Sequence, residues 1–425
     1  MKEELLGQDL VMPPEERQRH YDKQVSQVVQ FAYDNAPAVK AKMDKAGIKP
    51  SQINTTKDLE LLPIMTRDEI IQLTSENPPY GGLLAVPQES LYRLLYSPGP
   101  FYIPISSPKA ASKVLKIIHA AGMRQGDRVI CTLPPLFAAG SMFMDALSLG
   151  GLVDIPAGTG NTELQVTMIR DLGITGYFGT PSFLMNLVRK AEDLGFDFKN
   201  EFTLRTGIVA GEPLLPEVRN TLENDYGISL TNAIGIGIAI WLGYECSQKS
   251  GFHILEETFV EIVDPETGKQ LGPGEIGAVV VTAGNNPAMP GVRYMTGDLS
   301  AIDDTPCPCG RTSFKFMGIM GRVGDSVKIR ALYLTPDQVK SVAARFPALA
   351  KLQLVVSREG YKDQMAFNIE LADEAVDRDK LQSELLPAFQ DSCRLRPDKV
   401  IFLPRSAIPE DYKTIIDERS WQVKK

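Results

Sequence analysis

At 425 residues the chain exceeds what one ordinary hydrophobic core supports, so two or three domains are expected. Its 43% hydrophobic and 23% charged residues are those of a soluble globular protein. A net charge of −8, with no Lys/Arg block offsetting the acids, argues against a nucleic-acid partner and still allows a local basic pocket.

The opening MKEELLGQDLVMPPEERQRHYDKQ is charged and has no apolar run, so no signal peptide is expected. No window approaches the ~20 apolar residues of a membrane helix, so no membrane partner is expected and a cytoplasmic location follows by default. The five cysteines, at 131, 246, 307, 309 and 393, then read as thiols or metal ligands rather than disulfides.

In chain order, residues 15–47 read as one helix, with apolar Val25, Val28, Val29, Phe31, Ala32, Val39 and Met43. Thr66 is a candidate helix N-cap. Residues 90–96 read as a strand that runs into Ser97-Pro98-Gly99-Pro100-Phe101-Tyr102-Ile103-Pro104. A helix over 108–121 and a buried strand over 127–133 follow. Helices at 140–149, 163–172, 183–194 and 216–226 then alternate with strands at 151–155, 176–179 and 206–210. Short strand–turn–helix units at this spacing predict a doubly wound, mostly parallel sheet, whose ligands sit at the carboxyl ends of the strands. The turns there include Gly158-Thr159-Gly160-Asn161-Thr162 and Gly211-Glu212-Pro213.

From about residue 254 the pattern becomes β-rich. Residues 291–330 hold a turn carrying one acid (Thr296-Gly297-Asp298), the pair Cys307 and Cys309, and a Gly321-Arg322 turn before a strand at 327–329. Helices at 336–344 and 380–393, with strands at 351–357, 364–371 and 399–403, make a final α+β unit of ~95 residues. The expected division is a large domain over 1–324, with a β-rich subdomain over about 254–324, and a small mobile domain over 325–425.

This order resembles the adenylate-forming ligases, and most of all the phenylacetate–coenzyme A ligase family. The residues that carry the resemblance are Gly160-Asn161-Thr162-Glu163 with Gln165, Gly179-Thr180-Pro181-Ser182, Gly211-Glu212-Pro213, Tyr294-Met295-Thr296-Gly297-Asp298, Cys307-Pro308-Cys309-Gly310-Arg311-Thr312 and Gly321-Arg322-Val323-Gly324-Asp325. The resemblance covers nearly the whole chain, about residues 15–419. The resemblance implies the adenylate-forming fold, ATP with Mg²⁺, coenzyme A, and a reaction in which a carboxylate becomes an acyl-adenylate and then a thioester. It puts Gly211, Glu212 and Pro213 against adenine, and Asp298 on the ribose hydroxyls. Arg322 lies near ribose and phosphate as a charge-assisted donor, and Asp325 is at the hinge. Phe137, Pro181 and Ile238 are candidate acyl-pocket residues; Met142, Phe183 and Trp241 read as pocket or core.

Three positions depart from the family pattern. The phosphate loop, rich in Ser, Gly and Thr and ending in Gly-Lys-Pro, is replaced by a run with Pro100, Phe101 and Ile103, which loses amide donors and a charge. In Ile234-Gly235-Ile236-Gly237-Ile238 the magnesium-binding acid is replaced by Ile238. The catalytic lysine falls on Asp411; Lys413, two residues on, is the remaining candidate. Each lost element is commonly worth ~3 kcal/mol, so very poor adenylation is expected. An apolar environment is expected where the family holds phosphates.

Cys246, His253, Cys307 and Cys309 form a possible Cys3His set, four N/S ligands that suit a structural zinc. Three readings follow: a ligase acting on an aryl or acyl acid; a degenerate homologue binding an acyl-CoA, AMP-like or apolar ligand; and a scaffold subunit. The partners expected are a small-molecule acid or a CoA thioester, with a homodimer left open.

Overall fold

The structure, a computed structural model, describes residues 7–97, 100–323, 327–330, 332–334, 336–360 and 362–419. Pro98 and Gly99 of the expected phosphate segment, and Gly324 and Asp325 of the expected hinge, lie outside them. The chain divides into two compact units, Met1–Ile319 and Met320–Lys425.

The first unit opens with α1 (Pro14–Asn35) and α2 (Pro37–Lys45), not the single helix expected over 15–47. Pro37 is the cause. It lacks an amide donor and drives Ala36 to φ −108, ψ 102, out of the helical region. Next come β1 (Met65–Thr66) and α3 (Arg67–Glu76), whose first turn is capped by the Thr66 hydroxyl accepting from Glu69 N at 3.2 Å. β2 (Arg93–Ser97) and β3 (Phe101–Ile105) pair antiparallel as a ribbon. The helix expected over 108–121 is a 3-10 turn, Pro108–Ala111, and then α4 (Val114–Ala120).

The alternating region is β4 (Arg128–Cys131), α5 (Ala138–Leu149), β5 (Val153–Pro156), α6 (Thr162–Asp171), β6 (Gly176–Gly179), α7 (Pro181–Asp193), a short α8 (Phe198–Glu201), β7 (Thr206–Val209), α9 (Pro216–Asn220) and β8 (Ser229–Ile234). Its five strands are parallel in the order β5-β4-β6-β7-β8. β9 (Gly243–Glu245) and β10 (Phe252–Ile254) continue the sheet antiparallel, and later β15 (Lys315–Phe316) and β14 (Ile302–Asp303) close it, making nine strands.

β11 (Thr258–Val263), β12 (Gly277–Ala283) and β13 (Gly291–Ser300) form a second, antiparallel sheet with β1 at its edge. Every residue of β12, GAVVVTA, is buried, and its β-branched run suits a strand packed on both faces. The turn expected at 296–298 is instead part of β13, with Gly297 at φ +81 as an irregularity in it.

In the second unit Gly321–Arg322, expected as a turn, is the two-residue strand β16. β17 (Val327–Ile329) and β18 (Leu332–Leu334) pair as a hairpin, followed by α10 (Pro336–Ala343), β19 (Leu349–Glu359), β20 (Lys362–Leu371), α11 (Arg378–Cys393), β21 (Lys399–Leu403) and β22 (Ile415–Asp417). The sheet order is β21-β20-β19-β22, and Val356, Phe367 and Phe389 sit in its own buried apolar cluster.

One buried ion pair ties the second sheet of the first unit together. The Arg293 guanidinium donates to the Glu261 carboxylate at 3.0 and 3.1 Å and to the Leu62 carbonyl at 2.8 Å. Both side chains are withdrawn from solvent, so loss of the cation strands a buried carboxylate. Arg293→Met is therefore expected to cost about 3–5 kcal/mol in urea denaturation, and the double replacement Arg293→Met/Glu261→Leu to recover part of it. A single variant within about 1 kcal/mol of the parent would contradict this account.

Candidate functional site

Turns after β4, β5, β6, β7 and β8 gather at the carboxyl ends of the parallel strands, where open α/β sheets hold ligands. Three are tied by polar contacts. The Tyr177 hydroxyl accepts from Thr132 Oγ1 and donates to the Thr180 carbonyl, both at 2.9 Å. A Cβ on Gly179 would lie 2.0 Å from Thr132 Oγ1, so only glycine fits beside this pair. Pro181 is buried at the first position of α7, where its missing amide costs nothing. Glu212 accepts from the Ser182 amide at 2.6 Å. Its carboxylate is thereby set at the amino end of α7, which favours negative charge. Gly211 takes φ +87, which lets the turn fold back after β7. Gln165 donates to the Gly158 carbonyl at 2.9 Å and secures the turn after β5.

The turn after β8 is different. Ile236, Ile238, Ala239, Ile240 and Trp241 are all buried, in the same cluster as Phe101 and Ile103 of β3. Ile238 is 5% exposed and Ile103 2%. Ile238 lies against β13: its Cδ1 is 3.0 Å from where a Cβ on Gly291 would stand. Residues 101–105, expected as part of a phosphate loop, are a strand with a buried inner face; Pro100 is exposed. The buried side chains of this turn belong to the apolar core of the first unit. Phe143 stacks on Phe178 at 3.6 Å, and Trp241 lies 5.8 and 6.3 Å from those rings.

Ile240 is the strained residue of this turn, at φ 60, ψ −70. The Trp241 amide donates to the Ala239 carbonyl at 2.7 Å, closing a three-residue γ-turn of the rare hand. A β-branched residue at positive φ costs on the order of 1–3 kcal/mol unless its surroundings impose it. Two neighbours do. The Ile240 carbonyl lies 2.1 Å from where a Cβ on Gly235 would be, so only a glycine admits it. Lys113, 4% exposed, donates from Nζ to the Ala239 carbonyl at 3.1 Å and the Trp241 carbonyl at 3.2 Å. Burial pushes its ammonium down to about 7, with Glu257 opposing that shift. Nothing in the residue pattern marks Lys113, because a lysine in a helical run reads as solvated.

The other expected residues are distributed as follows. Asp298 is fully buried within β13, its amide donating to Thr296 Oγ1 at 3.1 Å. Phe137 is half-buried, just before α5. In the second unit, Arg322 is half-buried in β16, and Lys413 is exposed shortly before β22, its carbonyl accepting from Gln353 at 3.1 Å.

The cysteine–histidine set does assemble. The ligand atoms of Cys246, His253, Cys307 and Cys309 all lie within 4.8 Å of one another. Cys246 and Cys307 sulfurs are 3.7 Å apart, and Cys309 Sγ is 3.4 Å from His253 Nε2. The other ring nitrogen of His253 bonds to Ser313 Oγ at 3.2 Å, which fixes the ring. Hydrogen bonding from Cys246, with His253 and the Arg311 amide adding to it, holds the Cys309 thiol far below its usual range. Cys131 and Cys393 are buried apart from this set. The loop also straps the amino-terminal segment: Thr312 N donates to the Leu10 carbonyl at 2.9 Å, Thr312 Oγ1 to the Met12 carbonyl at 2.6 Å, and Arg17 to Thr312 Oγ1 at 2.7 Å.

Residues 103–290 match the family model described as AMP-binding enzyme. A phenylacetate-coenzyme A ligase of Pseudomonas putida is 31% identical over 376 residues, covering 84% of this chain and 82% of that protein. The protein of the same name from Escherichia coli (strain K12) is 30% identical over 367 residues, 82% and 81% of the two chains. Among solved structures, 2-hydroxyisobutyryl-CoA ligase in complex with 2-HIB-AMP and CoA shares the fold at a TM-score of 0.88. It is 23% identical, and the match covers 97% of this chain and 91% of that one.

Gly235 offers a test of the turn. Gly235→Ala is expected to destabilise the protein by about 1–3 kcal/mol through overpacking against Ile240. The chain has two tryptophans, so in a Trp421→Phe background the emission reports on Trp241 alone. A red shift in the alanine variant is expected; unchanged emission and stability would mean that the close approach is not there.

Proposed function

The chain belongs to the phenylacetate–coenzyme A ligase family of adenylate-forming enzymes, and from that premise we propose that it binds an aryl or acyl ligand and an adenosine-type group but activates carboxylates with ATP poorly or not at all. One observation carries this reading: Ile103 and Ile238 are packed into a single apolar cluster. By the resemblance, these are the places of the polyphosphate cradle and the magnesium acid. An isoleucine offers neither a donor to phosphate nor an oxygen to a hard divalent cation, so the residues present do not fit Mg-triphosphate. Asp411 at the place of the catalytic lysine adds a negative charge where the transferred phosphate would need a positive one.

The adenosine half is better supported. Glu212 and Asp298 are both held in place, one by the Ser182 amide and one inside β13. Gly211 and Pro213 complete the turn proposed to face adenine, and Arg322 is the proposed ribose contact. Ile238, Phe137 and Pro181 are the proposed acyl contacts, for a small acid or its CoA thioester.

The Cys3His set is proposed to hold one zinc. Zn–S bonds of about 2.3 Å at tetrahedral angles put sulfurs about 3.8 Å apart, which the Cys246–Cys307 separation of 3.7 Å fits. Four protein ligands leave no open position, so the ion would fix the loop and, through Thr312, the amino-terminal segment.

Two measurements test these readings. Acid-dependent ATP–pyrophosphate exchange over a panel of aryl and acyl acids is expected to stay at background, while calorimetry is expected to detect AMP or a CoA thioester without Mg-ATP. A working ligase that uses Lys413 gives the opposite result, with exchange that disappears in Lys413→Ala. For the metal, about one zinc per chain is expected by elemental analysis. Cys309→Ser is expected to lose it, and chelation to lower Tm and speed hydrogen exchange in residues 7–17. A purified protein with no bound metal and an unchanged Tm after chelation would rule out the zinc site.

A further inference from the structure

Lys113 is buried just before α4 and has no part in the ligand contacts or the metal set described so far. Among the described residues its amine has two hydrogen-bond acceptors, the carbonyls of Ala239 and Trp241. These flank Ile240, the strained residue of the γ-turn. An ammonium carries three N–H donors and a neutral amine carries two. The site therefore matches the neutral amine donor for donor, and protonation would leave one N–H buried with no acceptor.

We propose that Lys113 is a positioning residue: as a neutral amine it fixes the 237–241 segment, and with it Ile238, and on taking up a proton it lets that segment open. The proposal concerns the wall of the cleft and holds whatever the cleft binds.

The charged neighbours are few and identifiable. Glu257 favours the protonated form of Lys113, and Lys116, one turn along α4, opposes it. Lys116 is itself bonded to Glu256 at 2.9 Å and Glu257 at 3.0 Å. From α1, Arg17 lies 3.7 Å from the Glu256 carboxylate, and His20 bonds to the Glu256 carbonyl at 3.1 Å. Tyr21 of α1, also near Glu256, has its hydroxyl pushed up to about 12 by burial and stays neutral over this range. The γ-turn itself carries no titratable side chain.

The direction of the pH effect follows from linkage. In the closed segment the amine is held down to about 7, whereas in an opened, hydrated segment it returns toward about 10.4. Between those values the open form binds the extra proton. Opening is therefore most frequent at and below about pH 7. It becomes rarer, by up to about tenfold per pH unit, as pH rises above that. A latch made by an ordinary surface ammonium would have the opposite trend or none.

Millisecond-pulse hydrogen exchange on the full chain, corrected for the intrinsic chemical rate, reads this out at the amides of 239–242. All four are hydrogen-bonded in the closed turn: to the carbonyls of Ile236, Gly237, Ala239 and Ile234. In the parent, protection is expected to rise from pH 7 to pH 9. In Lys113→Met it is expected to be about tenfold lower and flat with pH, while protection of the β4–β7 core is unchanged. Glu257→Gln is expected to start the rise at lower pH. His20→Gln and His119→Gln are expected to leave the profile in place. If Lys113→Met does not fold, the parent profile and the Glu257→Gln displacement decide the matter. A flat parent profile, a Lys113→Met profile with the parent's slope, or loss of the slope in either histidine variant would overturn the proposal.

Discussion

The Ala239–Trp241 γ-turn decides what the cleft after β8 can hold. Its strain has to be met by the surroundings, and they meet it with an absent side chain at Gly235 and a buried amine at Lys113. Once that turn is set, Ile238 has one place to go, inward against Gly291 of β13. The inward packing makes the turn part of the same apolar core that holds Phe101 and Ile103. The greasy character of the site thus follows from backbone geometry as much as from composition. Replacing Ile238 alone by an acid would bury an unpaired carboxylate in that cluster; it would not restore a metal site.

The fold was legible because its signals are local. The strands expected at 176–179 and 399–403 match the structure to the residue, since short apolar or β-branched runs between Gly, Pro and Asp punctuation admit few alternatives. The Cys246, His253, Cys307 and Cys309 set was legible because few other residue types could replace its chemistry. Other features were lost for equally physical reasons. Thr296-Gly297-Asp298 reads as a turn because Gly and Asp are depleted in strands, yet Met295 and Leu299 on either side pair with β12 and carry it within β13 as a bulge. Pro37 was visible in the sequence but was outweighed by the apolar spacing on either side of it. The γ-turn has no signature at all, because a β-branched residue is not expected at positive φ; the space left by Gly235 and contacts from Lys113, 126 and 128 positions away from Ile240's neighbours, make it stable.

The Cys3His loop and the amino-terminal segment constrain each other in a second, separate way. Thr312 bonds both to Leu10 and to Met12, and Arg17 reaches the same hydroxyl while also facing Glu256. Glu256 in turn meets Lys116 of α4. A path of polar contacts, exposed at Thr312 and buried from Arg17 onward, therefore runs from the loop, through α1 and the 256 turn, to the helix that follows Lys113. Each contact is individually modest, but Arg17, Glu256 and Lys116 are buried, so none of their bonds can be dropped without leaving a partner unsatisfied.

That path bears on the electrostatics of the cleft. Binding a triphosphate calls for cations that are free to face it, usually from flexible backbone or long side chains at its edge. The two α4 lysines are instead committed to internal acceptors: Lys113 to two carbonyls, Lys116 to two carboxylates. Turning either outward would leave those acceptors buried and bare, at a cost comparable to what a single phosphate contact returns. The inward commitment of these two lysines is thus coupled to the stability of the first unit.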